Sequence, residues 1–126
     1  MDVRDLNDGE LFDSLEWNRS VVVRKLDGLT FEKATELVTP TGLTLLGVLR
    51  HLAWCERGWF GHFFRGEAGA DDVQQQQSLE ARSVLPHDYF GIVTLRWIVL
   101  HMTKETARHA GHLDILRELT DGRTGY

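Results

Sequence analysis

The chain has 126 residues, which is the size of one domain with a single hydrophobic core. Hydrophobic residues make up 42% and charged residues 26% of the chain, as in soluble globular proteins and unlike disordered or membrane proteins. Because the net charge is −5 and the Lys and Arg residues are scattered, we expect no nucleic-acid partner.

The cysteine content and the opening residues indicate the compartment. Cys55 is the only cysteine, so no disulfide can form within one chain, which fits a reducing environment. The opening residues, MDVRDLNDGE, are polar and acidic and hold no apolar segment suited to a signal or a membrane span. We therefore expect a cytoplasmic protein without a membrane partner.

The first long helix is predicted at about residues 6–28. Its apolar positions recur at helical spacing: Leu11, Leu15, Val22 and Leu26. Asn7 or Asp8 is a candidate N-cap and Gly28 a stop. The following TFEKATELV, from Thr30, is predicted to form a short helix or a turn.

Two further long helices are predicted, at about residues 43–65 and 93–120. The first of them lies in TPTGLTLLGVLRHLAWCERGWFGHFFRGE, with Thr41 or Thr44 as its cap and Gly66 at its end. The second ends before Gly122, the usual position of a glycine just past a helix. No segment alternates strictly as a half-buried strand does, so the fold class is all-α, with residues 1–126 as one helical domain.

The segment between these two helices, about residues 67–91, is polar and contains four consecutive glutamines. It is predicted to be either a linker with little core contact or a short helix from about Gln74 to Val84. Three long amphipathic helices without a full fourth helix leave apolar surface uncovered. A second copy of the chain, in a homodimer, is the expected cover.

Four titratable residues form one stripe on the last long helix. At about 100° per residue, His101, Glu105, His109 and His112 fall within an arc of roughly 80°. The stripe follows the apolar face, which is expected to point into the bundle, where polar groups need partners. His51 lies at the centre of the apolar face of the second long helix and is the expected partner of Glu105 and His109.

This pattern predicts a three-ligand site for a divalent metal, formed by His51, Glu105 and His109. Zinc is the expected metal, with nickel and iron(II) as alternatives, and open coordination positions remain for water or a substrate. Cys55, one turn after His51, is either a fourth soft ligand or a small apolar residue that lines a pocket with Trp59. The competing interpretation is a hydrogen-bonded polar network in a non-catalytic helical dimer, acting as a stress or regulatory scaffold.

Two stretches closely resemble the DinB-like superfamily of metal-binding helical bundles: TGLTLLGVLRHLAWCERGWF and LRWIVLHMTKETARHAGHLDILRELTDGRTGY. That superfamily includes YfiT-like hydrolases and thiol-dependent S-transferases such as mycothiol-dependent maleylpyruvate isomerase. The resemblance covers residues from about Leu6 to Gly66 and from Val93 to Tyr126.

The resemblance implies roles for single residues. The superfamily has one histidine on the second helix, matched by His51, and a pair at i and i+4 on the last long helix, matched by Glu105 and His109. A glutamate at the first position of the pair also occurs in the maleylpyruvate isomerase branch. His112 stands within the Ala-Gly-His that replaces a frequent Arg-Gly-Gln. It is expected, like His101, either to support the ligands or to serve as an alternative ligand.

The resemblance also implies a bundle and a reaction. Members fold as four-helix bundles, but residues 67–92 are too few for the usual third helix, so this chain is a shortened member. Dimerisation, with exchange of the last helix as one route, is expected to complete it. The implied activity is metal-dependent transfer of a low-molecular-weight thiol, such as mycothiol, to a small electrophile, or an isomerisation; hydrolysis is a third reaction found in the superfamily.

Overall fold

The computed structural model describes residues 7–66 and 78–125. Its α-helices are α1 (Asp8–Arg24), α2 (Phe31–Ala34), α3 (Leu45–Glu56) and α4 (Leu95–Asp121), and a π-helical segment (Arg57–Arg65) continues α3. Only isolated bridges and no strands occur in the described ranges. The all-α prediction is therefore confirmed. In these ranges, none of the helices combines the length and the apolar character that a membrane span needs.

Side-chain caps explain where the long helices begin. Asn7 and Glu10 form a capping box at the start of α1, in which each side chain accepts a hydrogen bond from the backbone N–H of the other. Thr44 and Thr94 cap α3 and α4 by accepting from the backbone N–H three residues later. Gly122, with φ of 78°, ends α4 in the left-handed conformation that glycine adopts without strain.

The stretch after α1 is less helical than its sequence predicts. α1 ends at Arg24, earlier than the predicted residue 28, and a turn leads to Gly28, whose φ is 76°. The stretch TFEKATELV, predicted to form a short helix or a turn, contains the short helix α2. It has Thr30 as its cap and only four residues, too few to form a stable helix alone.

The second long helix changes its winding at Arg57, which its 3.6-residue periodicity did not predict. From Arg57 to Arg65 the backbone is π-helical. Bonds from i to i+5 bring residues four and five apart onto one side, so Trp59, Phe60 and Phe64 are all buried. Stretches of π-helix are rare and occur often at functional sites.

The long helices pack around two hydrophobic clusters. α1 and α4 run in the same direction, since the Asn18 amide donates to the Thr103 carbonyl and, farther along both helices, the Arg117 guanidinium donates to the Lys25 carbonyl. α3 and the π-helical segment run the opposite way. One cluster joins the first halves of α1 and α4 to the π-helical segment: Leu11, Phe12, Leu15, Trp59, Phe60, Phe64, Leu79, Val93, Leu95, Ile98, Val99 and Met102. The other joins their second halves to α3: Val21, Val22, Leu45, Val48, Leu52, Ala110, Leu113 and Leu116.

Residues 78–94 form an irregular connection that packs against the first cluster. Leu79, Ser83 and Val93 are buried, and backbone N–H groups of residues 84 and 85 donate to the last carbonyls of the π-helical segment. For these residues, the prediction of little core contact is wrong. The short helix predicted at 74–84 is not formed over residues 78–84, because their backbone pairs with other segments, and residues 67–77 lie outside the described residues.

Arg117 is buried, although it carries a charge. Only 4% of its surface is exposed. Its guanidinium donates to the carbonyls of Lys25 and Asp27, at 3.0 and 2.8 Å, and pairs with the Asp121 carboxylate at 3.0 Å. The turn after α1 thus covers Arg117. Each of the three guanidinium nitrogens has an oxygen partner, which offsets the cost of removing the charge from water.

Candidate metal centre and adjacent cleft

α3 and α4 bring together the three predicted ligands. His51, Glu105 and His109 each offer one ligand atom, and these atoms lie within 4.8 Å of one another. His109 Nε2 is 3.4 Å from Glu105 Oε2, as expected for residues one turn apart on one helix. His51 approaches from α3, with its ring centroid 4.9 Å from that of His109.

The three side chains lie at the rim of the core and not inside it. His51 is exposed, while Glu105 and His109 are half-buried. The prediction that their stripe points into the bundle is therefore wrong. The buried face of α4 includes Thr106 and Ala110, each next in sequence to a stripe residue. Because both side chains are only weakly hydrophobic, the helical wheel did not indicate that this face is buried.

The donor set fits a divalent metal. Two imidazole nitrogens and one carboxylate oxygen are ligands typical of zinc, nickel and iron(II). A tetrahedral ion with bonds of about 2.1 Å holds its ligand atoms about 3.4 Å apart. The His109–Glu105 contact already has this separation, and all three ligand atoms lie within 4.8 Å of one another.

The electrostatic surroundings favour a neutral His109. Burial lowers the pKa of His109 below its ordinary value, the nearby His51 lowers it further, and Glu105 opposes both effects. A neutral imidazole keeps the lone pair that a metal ligand needs. Burial raises the pKa of the Cys55 thiol, and Glu105 and Glu56 raise it further, so Cys55 is a protonated thiol near neutral pH.

The two remaining stripe residues have different surroundings. His112 Nδ1 is 3.3 Å from His109 Nδ1, so His112 contacts a predicted ligand. His101 instead stacks on Trp97, with centroids 4.8 Å apart and planes 7° apart, and contacts the Trp59 ring. Burial lowers the pKa of His101, against a raising effect of Glu105. Neither residue belongs to the group of three whose ligand atoms lie within 4.8 Å of one another.

Two cavities open beside the group. One of about 510 Å³ is lined by both predicted pocket residues, Cys55 and Trp59, together with Trp54, Arg57, Gly58, His62, Phe63 and His87. Cys55 Sγ lies 3.6 Å from His51 Nε2, so this cavity begins next to the group. The other, of about 440 Å³, is lined by two of the three predicted ligands, His51 and His109, with His112, Val48 and residues 42–44 and 47. Both have volumes typical of small-molecule sites.

A model of the Mycothiol-S-transferase family matches residues 10–88 and 68–122. The chain belongs to the mycothiol S-transferase family. This family is part of the DinB-like superfamily, so the resemblance seen in the sequence is confirmed. The two matched segments together cover both halves of the three-residue group and overlap at residues 68–88. No curated protein and no solved structure gives a significant match to the chain.

Membership of the mycothiol S-transferase family indicates a mycothiol-related S-transferase-like function. An S-transferase-like function requires a site that small molecules can reach, and the three-residue group lies beside two cavities. The His/Glu group is able to hold a metal ion, and the identity of that ion is a separate question.

His87 is a cavity residue that sequence reasoning assigned to a loop. It lies in the irregular connection, where no periodicity indicates which side chains face the core. The structure stacks its ring on that of Trp59, with centroids 4.9 Å apart and planes 20° apart. The only sequence signal was a histidine close to Tyr89 and Phe90 in an otherwise polar segment.

Proposed function

We propose that the protein is a divalent-metal-dependent transferase that joins a low-molecular-weight thiol to a small electrophile. The observation that carries this proposal is the convergence of His51, Glu105 and His109 within 4.8 Å, at the edge of the 440 Å³ cavity that His51 and His109 line. Membership of the mycothiol S-transferase family supports mycothiol as the thiol. Isomerisation and hydrolysis are the alternative reactions at the same site.

Each residue of the proposed site has a role. His51, Glu105 and His109 would hold the metal, with zinc proposed and nickel or iron(II) as alternatives. A bound divalent metal lowers the pKa of a coordinated thiol and so supplies a thiolate near neutral pH. Trp59, of which 7% is exposed, forms the inner wall of the cavity and excludes water from one side of it.

The second candidate function is a non-catalytic helical dimer with a structural polar network. That interpretation started from the cost of burying unpaired polar groups. In the structure His51 is exposed and Glu105 and His109 are half-buried, so water solvates them and a network is not needed to keep them in place. The exposure of His51 therefore supports a site that binds a metal ion or a small molecule from solvent.

We also propose that two copies of the chain associate in the cytoplasm. Ile115 and Leu119 lie one turn apart on α4 and are 59% and 65% exposed. Apolar side chains on one exposed helix face are typical of a contact with another protein surface. A cytoplasmic location is consistent with the free thiol of Cys55.

Metal binding tests the ligand assignment. Protein purified without chelator is analysed for metal content, and zinc affinity is measured by competition with a chromophoric chelator. His51→Ala removes one ligand and is expected to weaken zinc binding by at least tenfold. The matched control is His62→Ala, since His62 is exposed and lies outside the three-residue group. Unchanged zinc affinity in His51→Ala would show that the ligand assignment is wrong.

Thiol transfer tests the reaction. The zinc-loaded protein is incubated with mycothiol and 1-chloro-2,4-dinitrobenzene, and the thioether product is followed by absorbance. We expect turnover that is lost on chelation and in Glu105→Gln. Stoichiometric zinc binding without transfer to this or other electrophiles would favour the structural alternative.

A further inference from the structure

Aromatic rings form most of the wall of the 510 Å³ cavity, which we call the ring cleft. Its ring-bearing residues are Trp54, Trp59, His62, Phe63 and His87. Trp59 contacts both Phe63, at 5.0 Å between centroids, and His87, at 4.9 Å. At the outer side Trp54 is 71% exposed. Flat walls of this kind favour a planar apolar ligand, which gains ring stacking in addition to buried area.

The backbone of the connection sets the tautomer of His87. Its Nδ1 accepts hydrogen bonds from the backbone N–H groups of Tyr89 and Phe90, at 3.0 and 3.3 Å. An acceptor nitrogen carries no proton, so the proton of the neutral ring is on Nε2. Within residues 7–66 and 78–125, Nε2 has no hydrogen-bond partner, and every fully buried side-chain nitrogen or oxygen there has one. His87 Nε2–H is therefore a donor open to solvent on a residue that lines the ring cleft.

Arg57 adds a positive charge to the same cleft. It is exposed and lines the ring cleft, and it makes no ion pair with any side chain of the described ranges. Among the described residues, none of those that line the cleft is Asp or Glu. These lining residues thus offer donors and a cation, which favours an anionic group on the ligand.

We propose that the ring cleft binds a small aromatic carboxylate. Its ring stacks against the exposed Trp54, and its carboxylate accepts hydrogen bonds from Arg57 and from His87 Nε2–H. The inference that the ligand is the electrophile, as an aromatic carboxylate with a conjugated alkene across which the thiol S–H adds, rests on the proposed function. Binding itself uses residues outside the three-residue metal group and does not require the metal.

The test is calorimetric titration of the metal-free protein with trans-cinnamate. Cinnamamide has the same shape without the charge, and 3-cyclohexylpropanoate has the charge without the planar ring. We expect cinnamate to bind about tenfold more tightly than either compound. Equal affinity for cinnamate and cinnamamide, or no heat of binding for cinnamate, would overturn the proposal.

Variants assign the two donors. Arg57→Gln removes the cation. His87→Asn keeps an oxygen that can accept from the N–H groups of Tyr89 and Phe90 but removes the Nε2–H donor. Each is expected to weaken cinnamate binding about tenfold. Arg50→Gln is the matched control, because Arg50 is also exposed, lies on α3 and lines neither cavity. Full affinity in both variants would overturn the assignment.

The metal and the cleft are tested separately. Repeating the titration with His51→Ala is expected to give unchanged cinnamate affinity, since His51 does not line the ring cleft. If His51→Ala loses zinc binding but keeps cinnamate binding, the cleft proposal is supported. It then stands even if the thiol-transfer assay fails. The reverse result, zinc binding without cinnamate binding, would reject the cleft and leave the metal site.

Discussion

Asp121 and Arg117 illustrate how one contact ties the last turn of α4 to the rest of the molecule. Arg117 also donates to two carbonyls of the turn after α1, so the pair links both helices at this end. The hydrogen bond from Arg117 lowers the pKa of Asp121 below its ordinary value, and the Arg123 backbone N–H lowers it further. The carboxylate form is therefore favoured in the folded protein.

Asp121→Asn tests this contact through the pH dependence of stability. A carboxyl group whose pKa is lowered by folding stabilises the protein above its ordinary pKa, and this contribution is lost as pH falls through the lowered pKa. We expect Asp121→Asn to reduce the melting temperature at pH 7 and the difference from the wild type to shrink below pH of about 4. Thermal melts from pH 7 to pH 3 measure it.

The exposed Asp13→Asn on α1 is the control for this experiment and is expected to show no such pH-dependent difference. A difference between Asp121→Asn and the wild type that stayed constant down to pH 3 would contradict a role for the ionised carboxylate.

The proximity of the candidate ligands on α4 could be predicted from the sequence. Glu105 and His109 are one turn apart on a helix, so their proximity follows from local geometry alone. The partner from α3 depended on which faces meet, and the structure places His51 beside Glu105 and His109. Their burial was not predicted correctly, because it depends on the small residues Thr106 and Ala110 at the true centre of the contact.

At the scale of elements, the long helices follow from local signals. Asn7, Thr44 and Thr94 each satisfy backbone donors that the first helical turn leaves without partners. The π-helical winding after α3 has no comparable local signal. It accommodates three large aromatic side chains on one side, and the need for that arrangement arises only when α1 and α4 are in place.

Thr94→Ala is expected to destabilise the protein by about 1 kcal/mol, because the Trp97 N–H loses its acceptor at the start of α4. Thr94→Ser keeps the hydroxyl and is expected to stay within a few tenths of a kcal/mol of the wild type. Urea denaturation of the three proteins measures both differences. A loss as large in the serine variant as in the alanine variant would assign the effect to the methyl group.

At the scale of the whole molecule, three long helical elements surround the core in the described residues, whereas a four-helix bundle surrounds its core with four helices. The irregular connection at residues 78–94 covers one cluster through Leu79 and Val93. The other cluster lies between α1, α3 and the second half of α4, close to the exposed Ile115 and Leu119. This distribution of apolar surface supports association of two copies through α4.

Substitution of this α4 face tests the proposed dimer. Ile115→Lys combined with Leu119→Lys is expected to convert a dimer into a monomer, because two buried charges at a contact between copies lack partners. Light scattering after size exclusion measures the molar mass. Val23→Lys, at an exposed apolar position of α1, is the control and is expected to leave the mass unchanged. A wild-type protein that is monomeric at high concentration would refute the proposal.

The sequence by itself determined the three long helices and the proximity of Glu105 and His109. These features depend on spacing along one helix and on bonds between residues three or four apart, which any helical chain with these residues would form. The family motifs pointed to the same residues, since they occupy the same two helices.

Only the tertiary structure decided the depth of the site, the π-helical winding, the burial of Arg117 and the place of His87 beside Trp59. Each of these depends on contacts between segments far apart in the chain, namely α1 with α4 and the irregular connection with the π-helical segment. A side chain in an irregular segment has no periodicity that indicates its direction, so the packing of the folded chain alone placed His87 in the ring cleft.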